Sequence, residues 1–192
     1  MKTVVSALAL AALAVTGAAQ AEMMVRVRAI DILPDAKSSP VTGVDVSNKV
    51  APDVDISWLF SSHFATELLL TIPQSHKVTL NGTDIGRAAH LPPTLLLQYR
   101  VPAMGAVEPY LGAGLNYTFF TDRKLNGGLE LERGSFGPAL QAGFDVKLSD
   151  GWYANVDVKK IWIDTDVTSG GAFVTHVEIN PLVIGIGLGR RF

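Results

Sequence analysis

From Val25 to the end of the chain, apolar side chains alternate with polar or small ones, and turn signals separate the alternating runs. Val25, Val27 and Ala29 alternate with Arg26 and Arg28, and from about Val50 to Phe60 the set Val54, Ile56, Trp58, Phe60 opposes Asp53, Asp55 and Ser57. Ala65 to about Val78 sets Leu68, Leu70 and Ile72 against Glu67, Leu69 and Thr71, and Ala88 to Val101 sets Leu95, Leu97 and Tyr99 against Thr94, Leu96, Gln98 and Arg100. Four further runs follow, 109–120, 136–148, 152–164 and 174–192. A period of two is the signature of a β-strand with two unlike faces. The pattern therefore predicts eight strands.

Several of these runs reach 11 or more residues. An ordinary strand averages about 5–6, whereas a tilted membrane strand needs about 9–11. In a soluble sandwich the apolar parity would be the core; in a membrane barrel it faces lipid and the polar parity faces the lumen. Aromatics near the run ends (Trp58, Phe60, Tyr99, Tyr117, Phe119, Trp152, Trp162) fit interfacial girdles. Connections alternate between short (61–64, 102–108, 149–151) and long (33–49, 79–87, 121–135, 165–173). The expectation is an all-β fold: an eight-stranded antiparallel transmembrane β-barrel over residues 22–192, with short periplasmic turns and longer extracellular loops. In the last run Ile184, Ile186 and Leu188 would face lipid, while Gly185, Gly187 and Gly189 leave room in a lumen only about eight strands wide.

The N-terminus fixes the address. Lys2, the uncharged apolar stretch Val4–Val15 and Ala19-Gln20-Ala21 predict a secretory signal spanning 1–21, cleaved after Ala21. The chain has no cysteine, which excludes disulfides, thiolate metal sites and cysteine nucleophiles, and its net charge of −2 gives no electrostatic case for nucleic acid. No cofactor or metal is expected. The final Phe192 resembles the assembly signal that ends many bacterial outer-membrane barrels. It implies contact with the barrel-assembly machinery and residence in the bacterial outer membrane, among its lipids and lipopolysaccharide.

Four phrases carry a further likeness: ELLLTIPQSHKV, HLPPTLLLQY, PYLGAGLNYTFF and the closing NPLVIGIGLGRRF. Together they resemble the OmpW family of small outer-membrane barrels across most of the chain after the signal. The resemblance implies passive uptake of small hydrophobic molecules through an apolar upper lumen, with lateral exit into the membrane. A structural or surface-receptor barrel, or a narrow ion-conducting pore, is the alternative. The chain departs from the family in carrying Arg190 where an aromatic usually stands, on the lipid-facing parity, and Lys159 where members often carry an aromatic near the constriction. The stretch 121–135 also looks abbreviated.

Leu69, Leu96 and Ile161, with Leu59, have lumenal parity, and read either as a conduit lining, with Leu69 at its constriction and Lys159 also on the path, or as plain filling. Arg26, Arg28, Asp53 and Asp55 share the lumenal parity of neighbouring strands. They read as a salt-bridge plug extended by Glu67, Asp145, Lys147, Asp157 and Lys159, or else as an ion-selectivity ring, because an unpaired charge in a narrow lumen costs several kcal/mol. Pro73 and Pro93 remove ladder donors; the gap this makes serves lateral exit, unless both lie beyond the bilayer. His76 and His90 are of metal-ligand type, but the sequence offers no third ligand beside them, and they read as a hydrogen-bonded structural pair. His76, His90, His176, Asp164 and Asp166 supply material for catalysis, but no spacing sets a nucleophile beside a base, so no enzyme is expected.

Overall fold

In the computed structural model residues 22–192 are described, and the expected signal segment lies outside them. Eight antiparallel strands close on themselves: β1 (Glu22–Leu33), β4 (Lys49–Leu59), β5 (Phe64–Thr71), β8 (Thr94–Arg100), β9 (Val107–Asp122), β11 (Gly134–Ser149), β12 (Trp152–Ile161) and β15 (Leu182–Arg191). Each pairs with the next in that order, and β15 returns to β1 through Val27↔Leu188 and its neighbours. Closure leaves no free edge, as backbone amides inside a bilayer demand.

The faces are inverted relative to a water-soluble protein. Val27, Leu95, Leu97, Leu111, Leu115, Leu140 and Ile186 are exposed, while Arg26, Asp55, Glu67, Gln98 and Asp145 are wholly buried. Exposed aromatics form two belts, Trp58, Tyr99 and Trp152 toward the short turns and Tyr117, Phe119 and Trp162 toward the long connections. Trp152 and Trp162 bracket the length of β12. At a rise of ~3.3 Å per residue and a tilt of ~40° that length spans ~25 Å, the height of an outer-membrane apolar band.

The long connections are not loops but a second storey of strands. β2 (Lys37–Ser39), β10 (Leu129–Leu131), β13 (Asp164–Ser169) and β14 (Ala172–Glu178) form a four-stranded sheet in the order β10-β13-β14-β2. β3 (Val44–Val46), β6 (Gln74–Leu80) and β7 (Thr83–Leu91) extend the barrel sheet along the outer end of β9. The expected runs 65–78, 88–101, 152–164 and 174–192 are thus each broken, at Ile72–Pro73, Pro92–Pro93, Trp162–Ile163 and Ile179–Pro181. The abbreviated-looking stretch 121–135 supplies β10 and so part of this outer storey.

Candidate functional site

The lumen of the barrel is filled by charge. Arg26 donates from Nε and Nη2 to both carboxylate oxygens of Asp145 (3.0 and 2.7 Å), and from Nη1 to Asp55 and Ser57 (2.8 Å each). Arg28 donates to Asp53 from Nε (3.1 Å), and its Nη2 sits 2.8 Å from Asp55 Oδ2 as an ion pair. Glu67 accepts from Gln98 (2.6 Å) and Gln141 (3.1 Å) and pairs with Lys159 Nζ (3.2 Å). Lys159 also meets Asp157, which accepts from Tyr110 Oη (2.8 Å) and Gln141 (2.6 Å). Arg100 reaches Asp145 (2.7 Å) and Glu108 (3.1 Å). Four buried cations, Arg26, Arg28, Arg100 and Lys159, therefore face five buried carboxylates, Asp53, Asp55, Glu67, Asp145 and Asp157. Excellent geometry and many extra hydrogen bonds are what make such a cluster tolerable, because desolvating each ion alone costs several kcal/mol.

Seven strands contribute side chains to this cluster, and β15 contributes room. A Cβ on Gly187 would sit 2.6 Å from Arg28 Cγ and 2.7 Å from Arg28 Cα, so the guanidinium stems pass where β15 carries only hydrogen. Lys147 does not join the cluster. It lies exposed at the periplasmic end, where the β11–β12 register shifts between Lys147 and Ser149. Tyr110, missed in the sequence, is buried beneath Arg26 and Arg100, with guanidiniums 5.6 and 5.4 Å from its ring centre. Its parity with Gly112 and Gly114 was the available signal.

Below the charges, Met24, Leu59, Ala65 and Tyr153 form a small apolar floor. Leu59, expected with the conduit residues, belongs here at the opposite end. Phe192 closes the last rung by exchanging backbone hydrogen bonds with Met23 (2.8 and 3.3 Å), leaving its ring exposed. Arg190 lies on the lipid-facing side with its guanidinium over Trp152 (5.5 Å) and Phe192 (5.3 Å), a way for a cation to rest at the interface.

Above the charges one side of the interior turns apolar, while Thr94, Asn116, Thr118 and Ser135 keep a buried polar strip along β8, β9 and β11. Leu96, opposite Glu67, and Ile161, opposite Ala139, belong to a continuous apolar cluster with Ile30, Ile32 and Ala51 that runs up into the second storey. Leu69 is buried between Asp55 on β4 and Thr94 on β8, next to the charges. At the top of the cluster lies a cavity of about 70 Å³ walled by Val78, Ala88, Phe120, Leu131, Val167 and Val177 among others, with His76 and His90 at one side. None of Leu69, Leu96, Ile161 and Lys159 lines it. Apart from His76 and His90, the cavity residues went unrecognised in the sequence because they sit in stretches that read as loops or strand ends.

His76 and His90 are stacked, not hydrogen-bonded to each other: ring centres 4.9 Å apart, 15° between planes. His76 Nδ1 lies 2.6 Å from the Ser47 carbonyl. Burial pushes His76 below the ordinary histidine range, and burial together with the neighbouring His76 ring pushes His90 down to about 3. Both rings are neutral at pH 7. His176, by contrast, is on the outer sheet, bonded to Asp166 (2.7 Å), which raises it.

Between the storeys the wall loses its ladder where β5 gives way to β6 and β7 to β8. The β5–β8 ladder ends at Leu69↔Thr94 and the β6–β7 ladder begins at Gln74↔His90, so 70–73 and 91–93 are unpaired with each other. Ile72 and Pro73 are both exposed, and the inward parity shifts from odd (Leu69, Thr71) to even (Gln74, His76, Val78) across them. Gln74 Nε2 folds back onto the Ile72 carbonyl (2.8 Å), and the Pro93 carbonyl accepts from Tyr117 N (3.1 Å). Each rim is stitched to itself or to its outer neighbour.

A closed eight-stranded barrel with apolar outside, ionic inside and aromatic belts is a small outer-membrane β-barrel. The sequence profile of the OmpW family matches residues 19–192, and the chain belongs to that family. It is 34% identical to outer membrane protein W of Vibrio cholerae over 90% of this chain and 89% of that one. It is 30% identical to the dibenzothiophene metabolism operon protein PahQ of Pseudomonas aeruginosa, covering 80% and 76%. The crystal structure of the outer membrane protein OprG from Pseudomonas aeruginosa superimposes with a TM-score of 0.78 at 29% identity, covering 92% of this chain and 98% of that one. The protein resides in the bacterial outer membrane, and its family is one of barrels, not of known enzymes.

Proposed function

We propose that the barrel admits small hydrophobic molecules passively, receiving them in the outer apolar cavity and releasing them sideways into the bilayer. The observation that carries this reading is the vertical order of the interior: an apolar cavity, an apolar cluster beneath it, then a buried ionic layer in which every carboxylate meets a cation. An apolar solute gains by entering the first two and loses on meeting the third. The solute moves down from the cavity past Leu96 and Ile161, with Leu69 as the lowest apolar side chain before the charges. It leaves through the break flanked by Pro73 and Pro93, where no ladder hydrogen bond has to be broken. Arg26, Arg28, Asp53, Asp55, Glu67 and Lys159 act as the floor that turns it aside, Lys159 being part of that floor and not of a hydrophobic path. Phe192 serves assembly by the barrel-assembly machinery, and membrane lipids and lipopolysaccharide surround the wall. The relative whose name places it in a dibenzothiophene metabolism operon supports an apolar aromatic as one kind of cargo.

The test uses refolded protein in liposomes, following entry of a small apolar fluorophore against empty liposomes while single-channel conductance is recorded in parallel. Wild type should accelerate entry with little conductance. Ala88→Trp, which fills the cavity, should slow entry at least severalfold while the barrel still shows heat-modifiable migration. Steady conductance without apolar preference would mean a narrow hydrophilic pore, and neither activity would leave a structural or receptor barrel.

A further inference from the structure

We propose that the cavity favours apolar solutes bearing one hydrogen-bond donor, an O–H or N–H such as that of a phenol or an indole, with His76 Nε2 as the acceptor. The proposal rests on the uptake reading and names the solute class. His76 is 1% exposed and forms part of the cavity wall. Its Nδ1 faces the Ser47 carbonyl at 2.6 Å. A carbonyl can only accept, so Nδ1 must carry the proton. In a neutral imidazole the other nitrogen is then a bare lone pair. That atom, Nε2, is buried and has no hydrogen-bond partner among the described residues.

The rest of the wall explains why one donor, and not many, would be recognised. Thr165 Oγ1 accepts from Glu132 N (3.2 Å), and Thr175 Oγ1 donates to the Val41 carbonyl (3.2 Å), so both hydroxyls are engaged. The remaining lining, apart from His90, is aliphatic or phenyl. His90 lies flat against His76, and Phe120 sets its ring against His90 at 60° and 6.3 Å. These rings make an aromatic ledge beside the acceptor. A flat ring resting there with its O–H or N–H turned to Nε2 would satisfy that orphaned atom. A hydrocarbon of the same shape would leave it orphaned. A net hydrogen bond of this kind corresponds to roughly a three- to tenfold preference.

Phenol and toluene differ by O–H for CH₃ and are nearly the same shape, so they are the probes. Their binding to refolded protein in detergent micelles is measured by equilibrium dialysis, for wild type and for His76→Asn. Asparagine keeps a donor for the Ser47 carbonyl and removes Nε2. The phenol-to-toluene ratio should be three- to tenfold higher in wild type than in the variant. Only four histidines are present. In ¹⁵N-histidine-labelled protein, phenol should move the lone-pair nitrogen signal of His76 while toluene does not. Equal ratios in the two proteins, or a bound phenol that leaves that signal in place, would overturn the proposal, as would failure of phenol to bind. The liposome entry assay reads separately. Apolar entry with no donor preference sinks the acceptor role alone, whereas donor preference without entry keeps the site and sinks uptake.

Discussion

Arg26 on β1 and Asp145 on β11 are 119 residues apart in sequence and meet across the lumen as a two-pronged pair, at 3.0 and 2.7 Å. The chord they draw through the barrel fastens β1 to β11, three strands away around the wall by way of β15 and β12. Asp55, Ser57 and Arg100 are attached to the same pair, so its removal leaves several buried groups short of partners.

Arg26→Met preserves stem volume and deletes the charge. It should lower the unfolding free energy by about 3–5 kcal/mol, the cost of leaving a buried counter-charge unpaired. Urea titration of the refolded protein measures it; a loss under about 1 kcal/mol would show that water already reaches the cluster.

Gly187→Ala should be worse than its size suggests. Two of the atoms its methyl would meet belong to the stem and Cα of Arg28, and a third is the Val27 carbonyl oxygen. Backbone cannot yield as a flexible side chain does, so the loss should reach about 3 kcal/mol or more. Refolding yield and urea midpoint report it, with Ile186→Ala on the lipid face as the mild comparison.

Acid should loosen the outer storey before the barrel. His76 and His90 are held below the ordinary value by burial, with Lys49 and Arg87 also opposing a charge on His76. Unfolded histidines take up protons below about pH 6.5, while these resist until near 3 for His90. The folded extension is therefore fully stable above about 6.5 and loses stability as pH falls toward 3, by at most ~1.4 kcal/mol per pH unit for each ring. His176 has the opposite sign, its bond to Asp166 contributing below about 6.5 and fading as pH rises through its raised value. Hydrogen exchange of the β6–β7 amides, corrected for intrinsic rates, should accelerate from pH 7 to pH 4 relative to those of β11–β12. Equal protection throughout would contradict the neutral, buried pair.

Parity along the sequence was enough to read which face each barrel residue presents, because period two is a property of the strand itself. Height was not legible. Leu59 and Leu96 share the inward parity, yet one lies in the floor and the other above the charges, since height follows from the stagger of neighbouring strands. Lys147 keeps its parity and still escapes the lumen at the mouth. Pro73 and Pro93 marked lost donors, but the odd-to-even shift at Ile72–Pro73 lies in the folded chain, and it moves His76 and Val78 into the cavity. The second storey stayed hidden because its strands continue the alternation of the strands below.

The sideways exit is tested most directly by a reversible staple at the lower rim of the wall break. Leu69 and Thr94 are directly opposed there, close enough for a disulfide by the usual antiparallel spacing, and the chain has no cysteine of its own. Leu69→Cys/Thr94→Cys protein in liposomes is assayed for apolar fluorophore entry, oxidised and then reduced in the same preparation. Exit through the break predicts slow entry when oxidised and recovery on reduction. Identical rates in the two states, with the crosslink verified on a gel, would contradict it.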